Sequence, residues 1–251
     1  MSGHSKWSTI KRKKGAMDAK RGQIFTRLTR EIVMAARDGG GDPEANFTLR
    51  LAIDRARAQN MPKDNIERAI KRGTGDSKDG EKFEQIFYEG YGPNGIALMI
   101  ECVTENRNRT VADLRHVLSK AGGSLGEAGS VAWQFTRSAY FTVATEGNDF
   151  DTIFELAVEG GADDVSLDED MIEIIGPSDC FKTLSDQLSA GGIKPDVVEL
   201  RMIPNQEMAL SVDETLKGMR AIEVIEGYDD VVNVFSNMTI SEEAMEALES
   251  A

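Results

Sequence analysis

Cysteine and histidine are nearly absent from this chain, at two residues each, and that scarcity removes several chemistries. Cys102 and Cys180 each sit in an apolar segment, far apart, with no CxxC or Cys/His neighbourhood. Neither a disulfide framework nor a zinc site is expected, and both read as small buried hydrophobes. His4 lies among cations, and His116 falls on a predicted helix with no nucleophile near it in sequence. His116 therefore reads as a surface or satisfied helix residue, not a general base. No apolar run approaches 18 residues, so no transmembrane helix is predicted. No apolar segment follows the first cations, as a secretory signal requires, and cytoplasm is the expected location. The GxxxxGK[ST], GxSxG and HExxH patterns are all missing. The glycine-rich stretch 122–129 does not match GxGxxG and carries Glu127, which would repel phosphate; it reads as a connecting loop. The expectation is a protein that is not an enzyme, with no cofactor, no metal, no small-molecule substrate and no membrane partner.

What the chain has is charge, unevenly placed. Charged residues make up 29% and hydrophobic residues 40% of 251 positions, a globular balance with room for two or three domains. Residues 1–78 carry 18 Lys+Arg against 9 Asp+Glu, a net of +9. Residues 79–251 carry 11 against 34, a net of −23. The acidic whole-chain balance of −14 thus hides a basic first third. A split of this size implies different partners for the two parts: the first attracts phosphates and the second repels them.

The apolar periods divide the chain the same way. Residues 3–22 lack a sustained period and read as a basic arm leading into a helix. Over 18–38, Ile24, Leu28, Ile32 and Ala35 recur at helical steps, with Arg27, Arg30 and Arg37 off the stripe. Gly39, Gly40 and Gly41 end that helix, and Asp42 with Pro43 predicts the cap and first turn of a second. There Leu49, Ile53 and Ala56 form the ridge. After Pro62 a short third helix is expected, with Asp64 and Glu67 at capping-box spacing. The turn-rich stretch 73–81 is the predicted linker. Strands follow over 83–89 and 96–105, then a helix over 110–121 capped by Thr110 and Asp113, and a strand over 131–136. Residues 139–204 read strand, helix, strand, strand, helix, strand, the split βαβ or ferredoxin-like order. A helix over 213–226, a strand over 231–236 and a short helix after Ser241 supply what the middle segment lacks. The predicted class is α+β, with a small N-terminal helical domain (1–78). Two α+β domains follow: a ferredoxin-like one (138–204) inserted into a discontinuous one (79–137 with 205–251).

Candidate nucleic-acid-binding residues are His4, Lys6, Trp7, Lys11, Arg12, Lys13, Lys14, Lys20, Arg21, Arg27 and Arg30. Cations on an adaptable segment release counterions as they neutralise phosphates, and here the bias continues from the arm onto predicted helices. Trp7 has two readings, stacking on a base or packing against the helical domain. Arg107 and Arg109, flanked by Asn106 and Asn108 before a helix, form a second candidate anion site or a polar turn and cap.

Six motifs follow one another along nearly the whole chain: Gly3-His4-Ser5-Lys6-Trp7, Asp18-Ala19-Lys20-Arg21-Gly22, Gly39-Gly40-Gly41-Asp42-Pro43, Asn60-Met61-Pro62-Lys63-Asp64, Tyr88-Glu89-Gly90-Tyr91-Gly92-Pro93 and Asn106-Arg107-Asn108-Arg109-Thr110. Together they resemble the YebC family. The resemblance implies a helical N-terminal domain with two α+β domains, and a DNA-binding transcriptional regulator. The family's mitochondrial relatives, which resemble activators of cytochrome c oxidase translation, and bacterial members implicated in relieving ribosome stalling at proline-rich stretches imply an alternative: a ribosome-associated factor that binds ribosomal or transfer RNA and relieves stalling.

Overall fold

The computed structural model describes residues 18–75, 83–168 and 170–249. Residues 3–17 of the predicted arm and most of the predicted linker lie outside them; residues 18–22 belong to the first helix. The chain is α+β, and its described residues form two compact units, one within 134–206 and one made of those up to 133 with those from 207 onward.

In the larger unit three helices come first: α1 (Asp18–Gly39), α2 (Phe47–Ala58) and α3 (Lys63–Gly73). Ile32, Val33 and Ala36 of α1 meet Leu49, Ile53 and Ala56 of α2 and Ile66 and Ala69 of α3 in one buried cluster. The apolar stripes read from the sequence therefore face one another. Where α1 meets α3, a Cβ on Gly73 would lie 2.4 Å from the Val33 carbonyl oxygen, so only glycine permits that approach.

The helix starts differ from the expected caps. Helix α2 is capped by Asn46, not Asp42. The buried Asn46 amide donates to the Ala35 and Gly40 carbonyls (2.7 and 2.8 Å), and its oxygen accepts from Leu49 N–H (3.0 Å). One side chain thus satisfies the end of α1 and the start of α2, and Asp42 and Pro43 are left in the turn between. Helix α3 begins two residues earlier than the Asp64/Glu67 box requires. Pro62 stands at its N-cap without a side-chain bond, and Glu67 pairs with Lys63 instead (3.5 Å).

The unit's sheet follows, with β1 (Glu84–Tyr91), β2 (Ala97–Thr104), the two-residue β3 (Ser124–Leu125) and β8 (Val231–Ser236) in the order β3-β1-β2-β8. All pairings are antiparallel. Strand β8 comes from the C-terminal tail, so the sheet is discontinuous in sequence. Every residue of β2 is buried, and its alternation serves two cores. Leu98, Ile100 and Cys102 pack on α4 (Arg107–Lys120), α7 (Val212–Glu226) and α8 (Glu242–Glu249). Val103, with Phe83 and Val232, belongs to the cluster of α1–α3. A bulge between Glu101 and Cys102 shifts the register against β8 and brings Val232 to that helical side. Helix α4 is capped by Asn106, whose side chain accepts from Arg109 N–H (3.1 Å), rather than by Thr110, which is buried inside the helix. Helix α7 opens with a capping box formed by Ser211 and Glu214.

The second unit is β4 (Phe135–Ala144), α5 (Phe150–Glu159), β5 (Asp164–Asp168), β6 (Met171–Pro177), α6 (Phe181–Ala190) and β7 (Val197–Pro204). Its strands run antiparallel in the order β5-β6-β4-β7, the ferredoxin-like arrangement. The strand expected over 131–136 is instead a short 3-10 turn (Ala132–Gln134) running into β4. No helix among the described residues is long and apolar enough to cross a membrane.

Candidate nucleic-acid interface

His4, Lys6, Trp7, Lys11, Arg12, Lys13 and Lys14 lie outside the described residues. Lys20 and Arg21 stand in the first turn of α1. The remaining cations of α1–α3 separate into an inward and an outward set.

The inward set includes two predicted phosphate ligands. Arg30 donates to Asp230 at 2.8 Å, and its side chain is only 12% exposed. Arg27 donates to the Glu226 carbonyl at the end of α7 (3.2 Å). Both were expected on an outer face; the structure turns them toward β8 and α7, because α1 covers the sheet on that side. Arg37 donates to the Phe83 carbonyl, while Arg30 and Arg72 lie over the Phe83 ring at 5.9 and 5.3 Å. Arg55 pairs with Glu31 (3.2 Å). Burial pushes the Glu31 carboxyl up despite Arg55, and nearby Glu101 adds to the rise.

Asp230 is the centre of this inward set. Arg30 and Arg109 converge on it, Arg109 reaching both oxygens at 3.2 Å, and the Thr104 and Thr110 hydroxyls lie 3.1 and 2.8 Å from Oδ2. Burial acts to raise its pKa, but the bonds from Thr110 and Arg109 and the charges of Arg30 and Arg109 outweigh that and hold it below the usual carboxylate range. The second candidate site is therefore half occupied from within. Arg109 is held by Asp230, and Arg107 pairs with Glu84 at the surface. Arg107 remains 64% exposed, and an exposed pair of this kind exchanges easily for another anion.

The outward set was missed in the sequence reading. Arg57, Lys63, Arg68 and Lys71 are exposed, three of them on α3. The signal was present: Ile66, Ala69 and Ile70 define the inner stripe of α3, which puts those cations opposite. Their neighbours are Asp54 for Arg57 and Glu67 for Lys63, while Arg68 folds back onto the Asp64 carbonyl and Asn65. This face can take phosphates by exchanging weak surface partners, whereas Arg27 and Arg30 cannot without dismantling the fold. His116 is exposed on α4.

A separate feature is the loop over 126–132. The Glu89 carboxylate accepts from the N–H groups of Gly129, Val131 and Ala132 (2.6, 2.7 and 2.7 Å). Burial works to raise its pKa, and these three bonds prevail and lower it. The loop is thereby fastened to β1 and presents Trp133, 71% exposed.

Comparison with known proteins covers almost all of this geometry. The model of the TACO1/YebC N-terminal domain matches residues 5–76, and that of the TACO1/YebC second and third domain matches residues 83–238. A probable transcriptional regulatory protein of Desulforapulum autotrophicum is 49% identical over 99% of this chain and 100% of its own length. One from Geotalea uraniireducens is 50% identical over the same shares. The crystal structure of a conserved hypothetical protein from Aquifex aeolicus is 38% identical, covers 90% of this chain and 93% of its own, and superposes with a TM-score of 0.81.

Proposed function

Since the chain belongs to the TACO1/YebC family, we propose that it is a nucleic-acid-binding regulator of gene expression that grips DNA through its basic first third. The observation that carries this reading is the charge division. A net of +9 over residues 1–78 stands against −23 over the rest, and Arg57, Lys63, Arg68 and Lys71 face outward on the folded part. The printed names of the relatives, probable transcriptional regulatory proteins, point the same way. Binding is by phosphate contact: the arm cations Lys11, Arg12, Lys13 and Lys14 supply most of it, and α3 extends it.

One observation favours a second reading, a translation factor on ribosomal or transfer RNA. On α3 the exposed cations alternate with Asp64 and Glu67, so this helix offers no uniform face for reading base edges. A surface of that kind suits recognition of backbone and shape.

The test is in-cell cross-linking followed by sequencing of the bound nucleic acid. Discrete promoter peaks support the DNA reading; ribosomal or transfer RNA with co-sedimentation on ribosomes overturns it in favour of the second. Replacing Lys11, Arg12, Lys13 and Lys14 together by Gln should weaken binding to either nucleic acid with no loss of stability. If about six phosphates are neutralised, affinity falls roughly a thousandfold between ~50 and ~200 mM salt. A flat salt response refutes both readings.

A further inference from the structure

Helix α5 of the ferredoxin-like unit carries two parallel stripes on its outer side. Phe150, Phe154 and Val158 recur at steps of four, the two rings 6.1 Å apart, with Phe154 45% and Val158 52% exposed. Asp151, Glu155 and Glu159, at the same spacing one position on, are all exposed. Ile153 and Ala157 face the core, so the apolar outer stripe is additional to the one that holds the helix down. Its neighbour α6 has no such stripe: Lys182, Thr183, Asp186 and Ser189 occupy its exposed positions. Leu167 extends the apolar area. It pairs in register with the buried Ile172 and so lies on the helix-bearing side of edge strand β5, 56% exposed. Three of the five exposed large apolar side chains among the described residues thus belong to one edge of one unit.

Folding does not require this. Polar side chains at those positions would keep the helix, as they do in α6, and would avoid a contiguous apolar patch, which marks an interaction surface. The surrounding charge selects the occupant. Residues 134–206 carry 15 Asp and Glu against 4 Lys and Arg. Nucleic acid and anionic lipid are repelled by such a surface, and so is a second copy of the same face.

We infer that the outer face of α5, with Leu167 of β5, is a docking surface for a protein partner that presents a cationic amphipathic helix. Its apolar stripe covers Phe154, Val158 and Leu167, and its flanking Lys or Arg meet Asp151, Glu155 and Glu159. The inference is independent of which nucleic acid the basic third binds.

Two measurements on the full chain test it. The first uses a fluorescent peptide of about 18 residues, long enough to hold a helix, with Leu at helical spacing and Lys beside it. A control peptide has the same composition in permuted order. The patterned peptide should bind at least about tenfold tighter than the permuted one, since only the patterned order covers the apolar stripe. Phe154→Ser with Val158→Ser should abolish that preference, and Glu155→Lys with Glu159→Lys should weaken binding of both peptides about tenfold. All four positions are exposed, so the variants should keep the native circular dichroism and unfolding midpoint. The second measurement places a photo-cross-linking amino acid at position 158, with position 183 of α6 as control, in cells. A cross-linked partner peptide of net positive charge and helical apolar period, captured from 158 and not from 183, supports the inference. Equal binding of the two peptides, unchanged binding by the variants, or absence of cross-links from 158 overturns it. So do cross-links to nucleic acid, to a second copy, or to residues 3–17 of this chain.

Discussion

Replacing Asp230 by Asn should loosen the helical layer from the sheet it covers. Asp230 is 9% exposed and holds Arg30, itself 12% exposed, at 2.8 Å. The amide keeps an acceptor for Thr104 and Thr110 but removes the charge that faces Arg30. Breaking a buried ion pair from one side typically costs 3–5 kcal/mol, because the remaining charge stays desolvated. Arg109, 46% exposed, can turn to water, so its arm adds little and the lower end applies, about 3 kcal/mol. Urea unfolding of Asp230→Asn, Arg30→Met and the double variant measures this, with hydrogen exchange along α1 locating the loosened segment. The double variant should be less destabilised than the sum of the singles, and Arg109→Met should cost under about 1 kcal/mol. The pH dependence carries a second signature. The folded pKa of Asp230 is depressed, so its contribution is complete above the ordinary unfolded value of about 4 and is lost as pH falls through the folded value. The Asn variant should therefore lose that part of the acid unfolding slope and behave like the parent at the lowest pH. A cost below about 1 kcal/mol for Asp230→Asn, or an equal cost for Arg109→Met, would refute the assignment of Asp230 as the tie between the two layers.

Three further outcomes are expected. Asn46→Ala should destabilise the larger unit by about 2–3 kcal/mol in urea, since it strips a buried cap of three hydrogen bonds. Glu89→Gln should free the loop over 126–132 with little global cost, seen as lower fluorescence anisotropy of Trp133 in a Trp7→Phe background. In the parent the same loosening should appear only in acid, below the ordinary Glu pKa of about 4, because the Glu89 value is lowered. Cys102 is buried and its thiol is pushed up to about 12, chiefly by burial and then by Asp230. A thiol reagent at neutral pH should therefore label the partly exposed Cys180 and leave Cys102 untouched until the protein unfolds.

Most of the element order was legible before any coordinates, because it rests on local period. The stripe Ile24, Leu28, Ile32 and Ala35 gives α1, and the βαββαβ order of residues 139–204 gives the ferredoxin-like sheet. Cap positions were less legible. Asp42, Asp64 and Thr110 all have the residue types that cap helices, but Asn46 and Asn106 cap α2 and α4. Asn46 prevails because it also reaches two carbonyls at the end of the preceding helix, a partnership that spacing alone does not reveal.

The amino-acid sequence by itself determined the charge division and most of the helices and strands. Only the tertiary structure decided which cations are available. Arg27 and Arg30 look in sequence like Arg57, Arg68 and Lys71. The first two meet Glu226 and Asp230, about 200 positions away along the chain, and the others stay exposed at the surface. Sequence fixes a side chain's charge and its place on a helix face. Whether that face meets water or a carboxylate depends on how distant segments pack, and desolvation then ties the buried cations to internal partners.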